Sequence, residues 1–196
     1  MKPTASPITM EYRVITNRKV FAFALLGASL VFFAVHFLDF PGSVPDFMKV
    51  SGGGTLLDVK PSFSEEAIYQ RLALYGEEGR KNYAFRNVTV DILLPLSLFP
   101  FLFLLMLRAV KRLALGPAPR TFLLALPFVY VTFDLAENAS VLALLAHFPD
   151  RYHALASVLP YLTAVKRAAS ILALVIPLSI FSVLLVRRRP QEIDLG

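Results

Sequence analysis

The stretch TFLLALPFVYVTFDLAENASVLALLAH, residues 121–147, decides the fold class of this chain. It is longer than the roughly 20 apolar residues that an α-helix needs to cross a lipid bilayer. It also carries Asp134, Glu137 and Asn138 within about one helical turn. Ionisable side chains inside a membrane are costly unless they are paired or hydrated, so they are candidates for a function. The stretch therefore predicts a transmembrane helix with a polar site inside it.

The composition of the chain extends this prediction to all 196 residues. Hydrophobic residues make up 56% of the chain and charged residues 17%, whereas average soluble proteins have roughly 25% charged residues. The apolar runs are continuous, while the strands of a membrane β-barrel alternate apolar and polar residues. We therefore expect residues 1–196 to form a single all-α integral membrane domain.

Four apolar runs are long enough to cross a membrane, which predicts a four-helix transmembrane bundle. The predicted spans are residues 20–38, 91–108, 121–147 and 168–186. The last apolar region already begins at Ala154. We expect its first part, broken at Pro160, to lie at or above the membrane surface and to leave a lateral opening in the bundle.

Residues 39–90 form the only long polar segment of the sequence. Ser62 and Glu65 have the spacing of a capping box, in which both side chains bind backbone N–H groups at a helix start. Apolar residues then recur at helical spacing as far as Tyr75, which predicts a short amphipathic helix ending near Gly76. A second helix is predicted from about Glu77 into the second span. Together they should form a short helical loop domain over one end of the bundle.

The basic residues are distributed unequally between the two ends of the predicted bundle. They are concentrated before the first span, between the second and third spans, and after the last. The positive-inside rule then places both termini in the cytoplasm and residues 39–90 outside a plasma or inner membrane. Anionic lipids at the cytoplasmic face account for the net charge of +6, so we expect no nucleic-acid partner. A homo-oligomer or a larger membrane complex stays open.

Polar residues from all four spans are predicted to lie at one depth. A rise of about 1.5 Å per residue places them roughly 20–30 Å from the cytoplasmic ends of their helices, in the outer half of the bilayer. Because lipid is a poor environment for such side chains, we expect them to face one another inside the bundle. These residues are His36, Asp91, Tyr130, Asp134, Glu137, Asn138, Lys166 and Arg167.

Two interpretations of this polar cluster compete. In the first, Asp134 and Glu137 pair with Lys166 and Arg167, and the pairs only fix how the helices pack. In the second, the surplus of polar groups contacts a ligand. We favour the second interpretation, because membrane helices can also be held together by small residues alone.

The predicted roles within the site follow from side-chain chemistry. If the site is catalytic, Asp134 or Glu137 would act as general acid or base with Lys166 as its charged partner. Arg167 would hold an anionic head such as a phosphate or carboxylate. The predicted binding residues are Asp91, Asn138, Arg167, His36 and Tyr130. Only His36 among the histidines lies at this depth, so we predict no metal site and no cofactor.

Several short motifs resemble a class of small, uncharacterised four-span membrane proteins. The motifs are Thr55-Leu-Leu-Asp58, Tyr75-Gly-Glu-Glu-Gly-Arg80, Asp91 at the start of a span, Asp134-x-x-Glu137-Asn138 and Thr163-x-x-Lys166. The resemblance covers most of the chain after Thr55. It implies that these polar positions belong together, and it carries no substrate or activity.

The function predicted from these observations is the binding or processing of an amphipathic, lipid-like ligand. One alternative is a proton- or ion-coupled carrier that works as an oligomer, since intramembrane carboxylates often relay protons. The almost purely apolar cytoplasmic halves of the spans argue against a carrier. Another alternative is an accessory subunit whose polar cluster is structural. The sequence leaves open whether the protein is an enzyme.

Overall fold

The computed structural model describes residues 17–187, in which the regular secondary structure is entirely helical, with no β-strand within that range. The helices are α1 (Arg18–Phe37), α2 (Val44–Val50), α3 (Glu65–Leu74), α4 (Gly76–Val88), α5 (Val90–Val110), α6 (Pro117–His147) and α7 (His153–Arg187). Four helical stretches are long and apolar enough to span a membrane: α1, α4 continued by α5, α6, and α7. This confirms the predicted all-helical fold with four helices able to span a membrane.

The predicted basic segment at the N-terminus falls mostly before Asn17, and the basic tail falls mostly after Arg187. Both lie largely outside the described residues. The orientation of the chain in the membrane therefore stays a prediction.

The helices begin earlier than the predicted spans, and at α6 a proline forms the start. α6 begins at Pro117 instead of residue 121, and Gly116 before it has an extended backbone. Proline suits the first position of a helix because its fixed φ is already helical and its missing N–H would have no partner there. α5 begins at Val90 and follows α4 after a single residue, Thr89.

The predicted break at Pro160 is wrong, because α7 is one continuous helix through Pro160 and Pro177. Pro160 is buried, and the narrow gap between it and Leu57 has no room for a water molecule. Packing against neighbouring segments offsets the backbone hydrogen bond that proline removes. The predicted lateral opening at this point is therefore absent.

Residues 39–88 form a helical layer over one end of the bundle. Its first helix, α2, was not predicted, because PGSVPD has the composition of a turn. Ser43 caps α2 by accepting a hydrogen bond from the Asp46 N–H, and Phe47 is fully buried. An apolar cluster, here the layer cluster, joins the layer to α6 and α7. It comprises Phe47, Leu56, Leu57, Ile68, Tyr69, Leu72, Tyr75, Tyr83, Val141, Leu144, Leu145, Ala156 and Leu159.

The amphipathic helix α3 forms as predicted, but its cap is shifted by two residues. The Ser64 hydroxyl accepts a hydrogen bond from the Ala67 N–H at 3.3 Å. Ser62 instead accepts from the Ser64 N–H. The capping-box assignment to Ser62 and Glu65 is therefore wrong, while the predicted apolar face is buried at Ile68 and Leu72.

Arginine side chains bind main-chain carbonyl groups of the layer, three of them from within the layer and Arg167 from α7. The donor–acceptor pairs are Arg71 to Lys60 at 2.5 Å, Arg80 to Leu72 at 3.1 Å, Arg86 to Gly42 at 2.8 Å and Arg167 to Val59 at 2.7 Å. Arg151, between α6 and α7, also pairs with Glu66 of α3 at 2.6 Å. The hydrogen bond from Arg151 lowers the pKa of the Glu66 carboxyl.

A second apolar cluster, here the bundle cluster, fills the space between α5, α6 and α7 away from the layer. Its members are Leu102, Met106, Val110, Leu126, Tyr130, Ala169 and Ala173. The alanines of α7 allow close approach of the helix backbones, as small residues do in membrane bundles. α1 packs on α5 and on α2 at the edge of the bundle.

Candidate functional site

The polar residues predicted to converge lie between the two apolar clusters. Along α6, Tyr130 belongs to the bundle cluster and Val141 to the layer cluster. Along α7, Ala169 and Leu159 mark the same two clusters. The intervening turns of both helices carry the charged side chains. The charges therefore lie between the apolar packing of the layer cluster on one side and that of the bundle cluster on the other.

Lys166 of α7 is the centre of the ionic contacts. Its ammonium lies 3.0 Å from the Asp134 carboxylate and 3.8 Å from that of Asp58, and it forms an ion pair with Glu137. The Lys166 side chain is only 12% exposed. One buried cation thus serves three carboxylates, two from α6 and one from the segment between α2 and α3.

Glu137 is the most deeply buried member of this group, with 1% of its side chain exposed. The Thr163 hydroxyl donates a hydrogen bond to one of its oxygens, and Lys166 donates to the other. Both carboxylate oxygens are therefore engaged by α7. Glu137 joins α6 to α7 and lies behind Lys166.

A second ion pair involves Asp91 at the start of α5. Arg86 of α4 donates to the Asp91 carboxylate at 2.7 Å, and the two side chains are 3% and 13% exposed. Asn138 connects this pair to the first group. Its amide nitrogen donates to the Asp91 main-chain carbonyl at 3.0 Å and to the Asp134 carboxylate at 3.3 Å.

These charged groups border a cavity of about 50 Å³. A volume of this size has room for roughly three or four water-sized groups. The polar side chains around it are those of Asp58, Arg86, Asp91, Asp134, Asn138 and Lys166. With His36 of α1 also bordering it, all four spanning stretches contribute to one cavity, at the common level that counting along the helices predicts.

Three of the predicted site residues do not border this cavity in the part of the chain that the structure describes. Glu137 lies behind Lys166. Tyr130 is 5% exposed and packs within the bundle cluster. Arg167 donates to the main-chain carbonyls of Asp58 and Val59, so its guanidinium holds the layer and is directed at the backbone.

His36 borders the cavity from α1 but is engaged by its own helix. Its Nδ1 lies 2.8 Å from the Phe32 carbonyl oxygen, and its ring stacks on the Phe32 ring at 4.1 Å between centroids. The side chain is partly exposed. His36 therefore forms a partly exposed part of the cavity wall.

Asp58 and Arg86 border the cavity but were not among the predicted site residues, although the resemblance groups Asp58 with the polar positions of the spans. Both lie in the segment treated as a loop domain, where no helical span fixes the depth of a residue. A signal for Arg86 did exist, because Asp91 opens a span and needs a nearby cation, and Arg86 is the nearest one before it. Asp58 ends one of the motifs that carry the resemblance to small four-span membrane proteins.

The cluster has four carboxylates, Asp58, Asp91, Asp134 and Glu137, against the two cations Arg86 and Lys166. When all are ionised, the formal surplus is two negative charges. An uncompensated charge is expensive in a low-dielectric interior, so the arrangement favours taking up protons or a further cation.

Within residues 17–187, no three carboxylate or imidazole groups are placed to hold a metal ion. The cavity is instead suited to hydrogen-bonding groups that carry positive charge, because carboxylates form much of its wall. Comparison of the chain with protein-family models, with curated proteins and with solved structures finds no match.

Proposed function

We propose that this integral membrane protein binds the polar head of an amphipathic, lipid-like ligand in the cavity bordered by Asp91, Asp134 and Lys166. The observation that carries the proposal is the cavity itself, walled by charged side chains from helices that otherwise pack through apolar residues. Its volume of about 50 Å³ is far below the roughly 300–1,000 Å³ of pockets that enclose whole small molecules. Only a small head enters, and the rest of the ligand stays outside.

The route into the cavity supports a ligand that arrives from the lipid. Among the residues that border the cavity, Val59 is 53% exposed, and His36 and Leu94 are partly exposed. These three side chains belong to the layer, α1 and α5. The neighbouring Leu93 and Leu96 of α5 are exposed apolar side chains of the kind that contact acyl chains. A lipid tail can therefore remain in the bilayer while its head reaches the charges.

By the positive-inside rule, the layer faces away from the cytoplasm, and the ligand enters from the outer leaflet. The same orientation puts the basic connection between α5 and α6 at the cytoplasmic surface, against anionic lipid heads. If the protein processes its ligand, Asp91 and Asp134 are the acid–base candidates that border the cavity. Glu137 acts through Lys166.

The bundle cluster argues against a carrier as the main function. Leu102, Met106 and Ala173 are 2%, 0% and 0% exposed and fill the space between α5, α6 and α7 beyond the polar site. Among the described residues, no buried charged side chain lies on the stretches of α5, α6 and α7 that form this packing. A proton or ion would have no buried charged groups to follow from the cavity towards the opposite end of the bundle.

Native mass spectrometry of the purified chain, followed by lipid extraction, tests the proposal. We expect the wild-type protein to retain a lipid in near-stoichiometric amount. Leu94→Trp, which places a large side chain at the cavity, should lose it. Leu172→Trp is the matched control, because Leu172 is 43% exposed on α7, away from the proposed entry route, and does not border the cavity.

Equal lipid retention by both tryptophan variants would show that the lipid sits elsewhere on the surface. A wild-type protein without any retained lipid, and without binding of any added amphiphile, would favour the structural interpretation of the cluster.

A further inference from the structure

The charge balance of the cavity indicates which kind of head it accepts. Three carboxylates border it, those of Asp58, Asp91 and Asp134, against the two cations Arg86 and Lys166, and Lys166 is also shared with Glu137 outside the cavity. A phosphate or carboxylate head would add negative charge to this group. A protonated amine would supply the missing positive charge and three N–H donors for the carboxylate oxygens.

Arg86 gives a second, independent indication. Its terminal nitrogens donate to the Gly42 carbonyl and to the Asp91 carboxylate. Its Nε is buried and has no hydrogen-bond partner among the described residues. Arg86 borders the cavity, although its Nε is itself closed to water. A buried donor is stabilised by an acceptor, so a small shift of the Arg86 side chain that brings Nε to a ligand oxygen would satisfy this group.

The size of the cavity limits the head to a few atoms. About 50 Å³ accommodates roughly three or four water-sized groups. An ammonium, two carbons and a hydroxyl oxygen fit this limit. A phosphodiester with a further head group exceeds it.

We propose that the ligand head is a small amino alcohol, in which a protonated primary amine lies between the Asp91 and Asp134 carboxylates and a neighbouring hydroxyl accepts from Arg86. This inference rests on the proposed function and specifies its ligand. The shared chemistry occurs in long-chain amino alcohols of membranes and in soluble amino alcohols. Primary amines are protonated at neutral pH, since their pKa is close to that of lysine, about 10.4.

Binding of a series of head groups to the wild-type chain tests this assignment. The full chain in dodecyl maltoside is titrated with sphingosine, N-acetylsphingosine, octadecylamine, octadecyl phosphate and ethanolamine, and dissociation constants are measured from thermal stabilisation. We expect sphingosine to bind at least tenfold more tightly than its neutral N-acetyl derivative and than the phosphate. Octadecylamine, which lacks the hydroxyl, should bind several-fold more weakly than sphingosine.

A variant series locates the amine. Asp91→Asn removes one carboxylate of the cavity wall and should weaken sphingosine binding about tenfold while leaving N-acetylsphingosine unchanged. Glu78→Gln is the matched control, because it removes an exposed carboxylate, 75% accessible, on the neighbouring helix α4. Circular dichroism reports whether the Asp91→Asn variant is folded. If it is not, the head-group series on the wild-type chain still tests the identity of the ligand head.

The outcomes separate this inference from the proposed function. Equal or tighter binding of the phosphate or of N-acetylsphingosine would overturn the amino alcohol and leave a lipid-like ligand in place. Ethanolamine binding as tightly as sphingosine would support the amino alcohol and overturn the lipid-like ligand. Failure of every probe to bind, with no retained lipid in native mass spectrometry, would overturn both.

Discussion

Replacing Lys166 removes the shared partner of three carboxylates, whereas replacing Glu137 removes only one of the three partners of Lys166. Lys166→Met leaves Asp58, Asp134 and Glu137 without their shared cation, whereas Glu137→Gln leaves Lys166 with two carboxylates. Removing one partner of a buried ion pair costs roughly 3–5 kcal/mol. We expect Lys166→Met to lower the melting temperature in detergent by more than Glu137→Gln, and the double variant to recover only part of the loss.

A matched control for this prediction lies on the surface of α4. Lys81 pairs with Glu77 and Glu78, and its side chain is 62% exposed. Exposed ion pairs contribute little to stability, so Lys81→Met should melt close to the wild type. A double variant of Lys166 and Glu137 as stable as the wild type would show that Asp58 and Asp134 do not depend on Lys166.

At the scale of the residue, the sequence identifies the parts of the site that lie on spans. Counting along a helix gives depth, and depth alone brings Asp91, Asp134 and Lys166 to one level. In an irregular segment, counting residues does not give depth, and Asp58 was therefore not assigned to the site. Arg167 lies at the right depth, but its partners are main-chain carbonyls, which no pattern of side chains reveals.

At the scale of the element, the contact between α2 and α4 depends on Gly79. A Cβ atom at this position would lie 3.2 Å from the Ser51 Cα and 3.1 Å from the Tyr75 Cβ. Gly79→Ala should therefore push the end of α2 away from α4 by a few tenths of an ångström, and we expect the overpacking cost of about 1–3 kcal/mol to exceed the roughly 0.5–1 kcal/mol that alanine gains over glycine in a helix. A thermal melt in detergent measures the loss.

Gly27 of α1 is the control for Gly79, because a Cβ there meets nothing within 4 Å. Gly27→Ala should melt at or slightly above the wild-type temperature, since alanine favours a helix more than glycine does. If Gly79→Ala is equally harmless, then α2 and α4 are not packed as closely as described.

Periodicity and composition predict helices well where apolar runs are long, as in α1, α5 and α6. The same rules fail at Pro160 and at α2 for a common reason. Periodicity and composition both treat proline and glycine as local signals. Tertiary packing, however, decides whether a helix continues past a proline or forms in a segment rich in turn residues.

At the scale of the whole molecule, the predicted orientation can be tested with single cysteines, because the natural chain has none. Gln70 lies in the layer and Ala114 in the connection between α5 and α6, and both are exposed. With a membrane-impermeant maleimide on intact cells, we expect Gln70→Cys to react. Ala114→Cys should react only after permeabilisation. The opposite pattern would invert the topology and place the cavity in the cytoplasmic leaflet.

The arginine-to-carbonyl contacts of the layer have a consequence for how this sequence can change over time. A carbonyl oxygen is present in every amino acid, so Val59 and Lys60 can be exchanged freely without removing the acceptors of Arg167 and Arg71. The arginines have no such freedom, because a lysine lacks the planar fork and reach of a guanidinium. Related chains should therefore vary at the acceptor positions and keep arginine at the donor positions. The contacts of the layer would then be retained while the residues that supply the carbonyl groups change.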